Sequence, residues 1–322
     1  MTSSFQLLGV DLIKDSKKLN EIDHWLRVMN RPQGWHYDLD IIWLLQELEK
    51  AGIKKGDTVL DAGAGLGVTQ FILASRGYNV ISLDFSQRTI PQLADGIFDI
   101  QTAKQGNLNY KHDYIGFVDY GTEVVVNNWN KTNVMAKALK TVFNKGFFYI
   151  WSLIKSNLRT QRNKKWHANE LNADHSDFGS IKFVRAAFHD IPLEDMQVDA
   201  LVSVSAIEHA DKTIMDKNIS EMIRVVKNGA PILITTSATN QLEDIFHDKT
   251  KGWCFSQGNL KKMIAAEDPQ SFEYEKTEKE LLDTKEWVSR IDPYYTTDPE
   301  SEFYKRKMKK LPYLVIGLKI IK

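Results

Sequence analysis

Residues 59–67 have the sequence V-L-D-A-G-A-G-L-G, in which a short apolar run ends in an acid and three glycines follow at alternate positions. Glycine tolerates a positive φ and lets the backbone approach a bound molecule without a Cβ in between. The pattern predicts a strand over Thr58–Ala62, a tight turn, and a helix whose first free amides face a ligand.

The glycine spacing helps to identify that ligand. A loop that binds a dinucleotide has the spacing G-x-G-x-x-G, which places a pyrophosphate on the helix N-terminus. Here the third glycine, Gly67, comes one position early, and Asp61 stands at the mouth of the loop. A carboxylate there would repel a pyrophosphate and suits a cationic amino or sulfonium group. A tight turn without any ligand remains the alternative.

Strand and helix signals alternate on both sides of this loop, which is typical of an α/β protein with a mostly parallel sheet. Residues 1–55 are predicted to form a helical cap. Residues 98–180 lack the alternation and are predicted to be an insertion, which divides the core into residues 56–97 and 181–322. The predicted core elements are strands at Tyr78–Leu83, Ile181–Ala187, Ala200–Ser205, Pro231–Thr236 and Tyr313–Ile321, and helices at Ile214–Val226 and around 276–290.

Five segments taken in order resemble the successive motifs of class I, Rossmann-like S-adenosylmethionine-dependent methyltransferases. They are V-L-D-A-G-A-G-L-G at 59–67, Ser82-Leu83-Asp84-Phe85-Ser86, His189-Asp190-Ile191-Pro192, the block 199–209 that ends in Ser205-Ala206-Ile207-Glu208-His209, and the block 222–234. Each segment alone is a weak signal, and the ordered set is specific. Asn228 and Ala230 stand where the family usually has proline and glycine.

The resemblance implies a seven-stranded sheet whose last strand is antiparallel, with Phe272–Glu275 as its hairpin partner. It also implies S-adenosylmethionine as the methyl donor and assigns a part of that donor to each of several residues. Asp61, Gly63, Ala64 and Gly65 would line the methionine part, Asp84 the ribose, Phe85, Asp190 and Ile191 the adenine, and Ser205 the sulfonium.

The chemistry of methyl transfer points to candidate bases. The donor is already activated, so transfer depends mainly on positioning the acceptor and excluding water, and a general base adds ~10²–10⁴-fold. His209 is the first candidate, because it follows the strand beside which the sulfonium is expected. His36, within G-W-H-Y-D at 34–38, is the second. An architectural role is the alternative for both, and Glu208 is expected to be buried and hydrogen-bonded. No clustered metal-ligand spacing is present, so no metal site is predicted.

The acceptor is predicted to be a small molecule or a glycan methylated at oxygen, with a bacterial surface polysaccharide or a lipid-linked acceptor as narrower alternatives. Residues 134–165 have the pattern of a basic amphipathic helix, which suits packing on the core or peripheral contact with an anionic membrane. The chain has 42 basic and 42 acidic residues, so no nucleic-acid partner is expected.

The sequence indicates neither a signal peptide nor a membrane span, and Cys254 is the single cysteine. A cytoplasmic protein is therefore expected, at the inner face of the membrane if residues 134–165 bind it. Two other functions remain open. A donor-binding partner subunit without activity would carry the same motifs, since no single side chain is indispensable to methyl transfer. A nicotinamide-dependent oxidoreductase is disfavoured by the glycine spacing.

Overall fold

The computed structural model describes residues 2–31, 34–86, 88, 90–101, 166–266, 272–292, 295–296 and 298–322. Most of the predicted insertion lies outside these residues, and so does the predicted amphipathic helix at 134–165. Among the described residues, no helix has both the length and the apolar character that crossing a bilayer requires.

One sheet runs through the described part of the chain. Its strands are β1 (Thr2–Leu7), β2 (Thr58–Ala62), β3 (Asn79–Asp84), β4 (Asp99–Gln101), β5 (Ser180–Arg185), β6 (Ala200–Val204), β7 (Pro231–Thr239), β8 (Ile245–His247), β9 (Gly252–Ser256) and β10 (Leu314–Ile321). Their order is β1-β10-β7-β6-β2-β3-β5-β4, with β9 beside β7 and β8 beside β9. Strands β2 to β7 pair in parallel, and β10 is antiparallel to β7.

Helices cover both faces of this sheet. They are α1 (Ser16–Val28), α2 (Tyr37–Lys50), α3 (Thr69–Ser75), α4 (Met215–Val225), α5 (Gln257–Met263), α6 (Tyr274–Asp283) and α7 (Lys285–Arg290), and residues 166–171 are also helical. Side chains alternate between the faces along a strand. Accordingly, Val59 joins the apolar cluster under α1, α2 and α3, whereas Leu60 joins the cluster under α4 and α5.

The predicted α/β fold with a mostly parallel sheet and an antiparallel last strand is confirmed, but the sheet has ten strands where seven were expected. The predicted strand at Thr58–Ala62 has the predicted bounds, and the last predicted strand is β10. The charged helix predicted around 276–290 is two helices, α6 and α7, with Thr284 between them.

The N-terminal prediction was wrong in one respect, since residues 1–55 are not wholly helical. Thr2–Leu7 forms β1, which pairs antiparallel with β10 along six residue pairs. Only one face of this edge strand is covered, so Phe5 is its single fully buried residue, and the segment has too few apolar residues to show a strand pattern. The predicted hairpin partner at Phe272–Glu275 was also wrong, because β1 occupies that edge and Tyr274 begins α6.

The strand order places a crevice at one edge of the sheet. Strands β2 and β3 lead the chain in one direction across the sheet, and β6 returns to the other side of β2. At such a switch point the loops after neighbouring strands diverge, which leaves room for a ligand at the carboxyl ends of the strands. The glycine loop, residues 63–67, leaves β2 at this point.

Candidate functional site

A cavity of about 520 Å³ lies at the carboxyl ends of β2, β3, β5 and β6. The glycine loop and the residues just after the other three strands form most of its wall, and Tyr37 and Ile41 of α2 contribute from the N-terminal segment. Seven of the nine predicted donor-binding residues line it: Asp61, Gly63, Ala64, Gly65, Asp84, Phe85 and Ser205.

Position 63 requires glycine for two reasons, its backbone conformation and the lack of room for a side chain. Its φ is +77°, and a Cβ at this position would lie 2.4 Å from the Ala206 Cβ and 2.8 Å from the Phe188 ring. The amides of Gly63 and Ala64 both donate to the Leu83 carbonyl, at 2.8 and 3.1 Å. The glycine loop is thereby fixed against the end of β3, and at Gly63 its backbone forms the cavity wall without a side chain.

Asp61 is a buried acid without a direct hydrogen-bond partner. Its side chain is 1% exposed, and neither carboxylate oxygen is hydrogen-bonded within the described residues. Burial raises its pKa to about 7, against the opposing charge of Arg88 and with a smaller contribution from Asp84. Buried polar atoms rarely lack partners, so the orphaned oxygens at the cavity wall fit a ligand that brings a cationic donor.

Asp84 is held by the loop residues around it. Its Oδ2 accepts the Gly65 amide at 2.8 Å, and its Oδ1 accepts the Ser86 amide and hydroxyl at 2.8 and 2.5 Å. A carboxylate offers about four acceptor sites, which leaves capacity for a ligand hydroxyl. The adjacent Phe85 ring is 72% exposed at the cavity, where a flat aromatic ligand would cover it.

The other two predicted donor residues are not brought to the cavity. Ile191 has no exposed surface; its amide donates to Glu221 at 3.0 Å, and its carbonyl accepts from Arg224 at 2.9 Å. Asp190 is also absent from the cavity wall. Residues 186–189 line the cavity in their place, because β5 ends at Arg185 and these are the first residues beyond it.

Ser205 lies at the end of β6 in a conformation that few side chains adopt. Its φ is +44°, and its amide is held by the Thr235 carbonyl at 3.0 Å. Strained residues of this kind concentrate at functional sites. The Ser205 hydroxyl donates at 3.5 Å to Asp40, whose other oxygen lies 2.5 Å from Nδ1 of His36.

The two predicted bases are placed differently. His209 is exposed and lines the cavity, and its Nδ1 donates to the Lys251 carbonyl at 3.1 Å. This bond leaves Nε2 as the basic nitrogen of the neutral ring. His36 is 4% exposed and does not reach the cavity wall; it is joined to the wall through Asp40 and Ser205.

Glu208 is buried, as the sequence indicated. It is 4% exposed and accepts the Thr236 hydroxyl at 3.0 Å. Burial raises its pKa, against the opposing charges of His209 and His36. Glu208 does not line the cavity, so this acid supports the structure beside His209 and is not placed to contact an acceptor.

The cavity fits the donor implied by the sequence resemblance. S-adenosylmethionine carries an ammonium, ribose hydroxyls and a flat adenine, and the wall offers an orphaned carboxylate, a second carboxylate and an exposed aromatic ring. The described residues contain no group of three or more metal-ligand side chains that could hold a metal ion.

Sequence comparison gives one match to a family. Residues 153–234 match a family model described as a methyltransferase domain. No curated protein matches the chain.

Three of the solved structures with a similar fold are compared with this chain by sequence identity and coverage. Phosphoethanolamine N-methyltransferase 2 of Haemonchus contortus, with phosphomonomethylethanolamine and S-adenosylhomocysteine, is 15% identical over 97% of this chain and 59% of its own, with a TM-score of 0.45. The 1,6-didemethyltoxoflavin-N1-methyltransferase of Burkholderia thailandensis is 11% identical over 97% and 89%, with a TM-score of 0.42. A protein from an antibiotic biosynthesis pathway of Anabaena variabilis is 15% identical over 62% and 46%, with a TM-score of 0.30. The chain spans less than two thirds of the first and third of these proteins.

Proposed function

We propose that the chain is a class I S-adenosylmethionine-dependent methyltransferase and that it methylates a hydroxyl oxygen of a small molecule or a glycan. The methyltransferase-domain match and the sheet order support the first part of this proposal. The observation that carries the proposal is the position of His209, which lines the same cavity as the donor residues and whose Nε2 has no hydrogen bond among the described residues. A cavity of about 520 Å³ falls within the range of pockets that enclose small ligands.

When bound, the donor supplies an activated methyl group on a sulfonium. The chain's own residues then have three tasks. Asp61 holds the ammonium group of the donor and Asp84 its ribose hydroxyls, the glycine loop and Ser205 shape the space between them, and His209 removes the proton from the acceptor hydroxyl. The Lys251 carbonyl keeps the proton on Nδ1, so that Nε2 can accept another.

His36 is proposed as a positioning residue. It is buried against Asp40 and cannot meet an acceptor, but Asp40 also accepts the Ser205 hydroxyl. The pair fixes Ser205 in its strained conformation and joins α2 to the end of β6. Loss of this contact is expected to raise the KM for both substrates more than it lowers kcat.

Substitution of His209 tests the proposed base. In His209→Asn the amide nitrogen can still donate to the Lys251 carbonyl, while the basic nitrogen is lost. With labelled S-adenosylmethionine and a panel of hydroxylated acceptors, kcat should fall about 10²–10⁴-fold, and the Kd for S-adenosylhomocysteine should stay within twofold of the wild type.

A matched control is His247→Asn. His247 lies on β8, outside the cavity wall, and its Nδ1 contacts Thr250 at 2.8 Å. This variant should keep wild-type kcat. A His209→Asn enzyme with kcat within threefold of the wild type would exclude His209 as the base, whereas donor binding without any turnover across the panel would favour a catalytically silent subunit.

A further inference from the structure

Asn218 is a buried amide in the wall of the cavity. It lines the cavity and is only 1% exposed, and neither its Nδ2 nor its Oδ1 has a hydrogen-bond partner in the part of the chain that the structure describes. Buried amides are nearly always hydrogen-bonded, because an unmade bond leaves the desolvation penalty uncompensated. An unpaired carboxamide at a ligand cavity therefore indicates a ligand that supplies its partners.

The fold places Asn218 beside the segment that follows β5. It lies in the first turn of α4, which follows β6 after residues 205–214. Glu221 is one turn further along the same side of the helix, and it accepts the Ile191 amide at 3.0 Å. Asn218 is thus on the face of α4 that packs on the segment after β5, one turn nearer to the cavity edge formed by residues 187–189.

The nucleoside of the donor is expected at this part of the cavity, because Asp84 would bind its ribose. Asp84 is the last residue of β3, Phe85 presents its ring next to it, and the segment after β5 also lines the cavity. Of the cavity residues in that segment, residues 186–188 have apolar side chains, and the His189 imidazole cannot present a donor and an acceptor side by side. A side chain that forms a bidentate pair with the base must therefore come from another element.

We propose that the Asn218 carboxamide reads the adenine edge of S-adenosylmethionine, an inference that rests on the proposed function for the identity of the donor. Adenine presents a 6-amino donor next to the N1 acceptor, and a carboxamide presents an acceptor next to a donor. The two patterns match as a bidentate pair, and asparagine forms an equivalent pair with the N6 and N7 atoms of adenine in the DNA major groove. Asn218 then determines base specificity, while Asp61 and Asp84 hold the rest of the donor.

The test is a calorimetric cycle with two ligands and two proteins. The ligands are S-adenosylhomocysteine and its analogue in which hydrogen replaces the 6-amino group. The wild type should prefer the adenine ligand by about tenfold, since a good bidentate pair gives ~1–3 kcal/mol of discrimination. Asn218→Leu should bind S-adenosylhomocysteine about ten- to a hundredfold more weakly and should prefer neither ligand by more than twofold.

The control variant is Lys217→Leu, an exposed neighbour on the same helix, which should keep the wild-type preference. The preference is a ratio measured on one folded protein, so a loss of stability does not mimic the result, and Asn218→Ala provides a second variant if Asn218→Leu does not fold. An unchanged preference in the Asn218 variants would overturn the proposal. So would unchanged donor affinity with a raised KM for the acceptor, because the amide would then face the acceptor. Absence of methyl transfer in all proteins, with the cycle as expected, would contradict the proposed function alone.

Discussion

The carboxyl group of Asp61 is buried, and its burial lowers the free energy of unfolding by an amount that depends on pH. Burial raises its pKa to about 7 in the folded chain, from an ordinary value of 3.8. Between about pH 4 and pH 7, the Asp61 carboxyl is therefore protonated in the folded state and ionised in the unfolded state. Over that window the free energy of unfolding falls as pH rises, and above pH 7 the loss is complete.

Asp61→Asn is therefore expected to stabilise the ligand-free protein at pH 8, by on the order of a few kcal/mol. The amide has the same shape and no charge to desolvate. Urea denaturation at pH 8 and at pH 4 measures the effect, and the difference between variant and wild type should vanish at the lower pH. Equal differences at the two pH values would mean that ionisation of Asp61 is not the cause.

The same ionisation should govern donor binding. An ammonium group pairs with the ionised carboxylate, so the Kd for S-adenosylhomocysteine should rise up to about tenfold for each pH unit below 7. Asp61→Asn should bind at least tenfold more weakly at pH 8 and should show little dependence on pH below 7. Calorimetry between pH 5.5 and 8 checks both expectations. A wild-type affinity that is constant over this range would contradict an ammonium partner for Asp61.

Sequence patterns predicted individual residues well where a strand end was unambiguous. Asp61 and Asp84 each close a short apolar strand, so their meeting at the cavity could be predicted. The segment after β5 could not be placed as well, because β5 ends at Arg185 and not at Ala187, and the cavity residues therefore come before Asp190. The role of Asn218 was not predicted from the sequence. The signal that could have indicated it is a polar residue between two buried ones, Met215 and Ile219.

At the scale of elements, β1 closes the edge of the sheet where a hairpin partner of β10 was expected. Its six pairs with β10 satisfy the backbone groups of that strand, and Phe5 packs into the apolar cluster with its ring centroid 6.4 Å from that of Phe272. The N-terminal strand and the C-terminal strand are thus joined, although they are at opposite ends of the sequence.

Phe5→Ala is expected to lower the free energy of unfolding by about 3–5 kcal/mol, because it removes a buried aromatic side chain. The neighbouring Gln6 points to solvent, so Gln6→Ala should change stability by no more than about 0.5 kcal/mol. Chemical denaturation of the two variants measures the difference. Equal stabilities would show that β1 adds little to the fold.

Elements with a strong apolar pattern were predicted correctly, and the short strands β1, β8 and β9 were not. α2 and α4 follow from their stripes of buried residues. β1, β8 and β9 have at most six residues each, and each is stabilised by a strand whose position the local sequence does not indicate. β9, for example, pairs with the extended end of β7.

At the scale of the molecule, α7 is joined by ion pairs to the N-terminal helices α1 and α2, and α2 borders the cavity. Arg290 of α7 donates to Asp38 of α2 at 2.7 Å and to Asp23 of α1 at 2.9 Å. α2 in turn supplies Tyr37 and Ile41 to the cavity wall and Asp40 to Ser205. Segments outside the glycine loop and its neighbouring strands therefore complete the wall of the cavity.

Calorimetric titration of the whole chain with S-adenosylhomocysteine and with NAD most directly tests whether this cavity is a methyl-donor site. S-adenosylhomocysteine should bind at one site per chain, NAD should give no binding heat, and Asp84→Asn should weaken the first ligand by about tenfold, because the amide offers the ribose one acceptor atom in place of two. Binding of NAD, or an affinity for S-adenosylhomocysteine that Asp84→Asn leaves unchanged, would contradict the assignment.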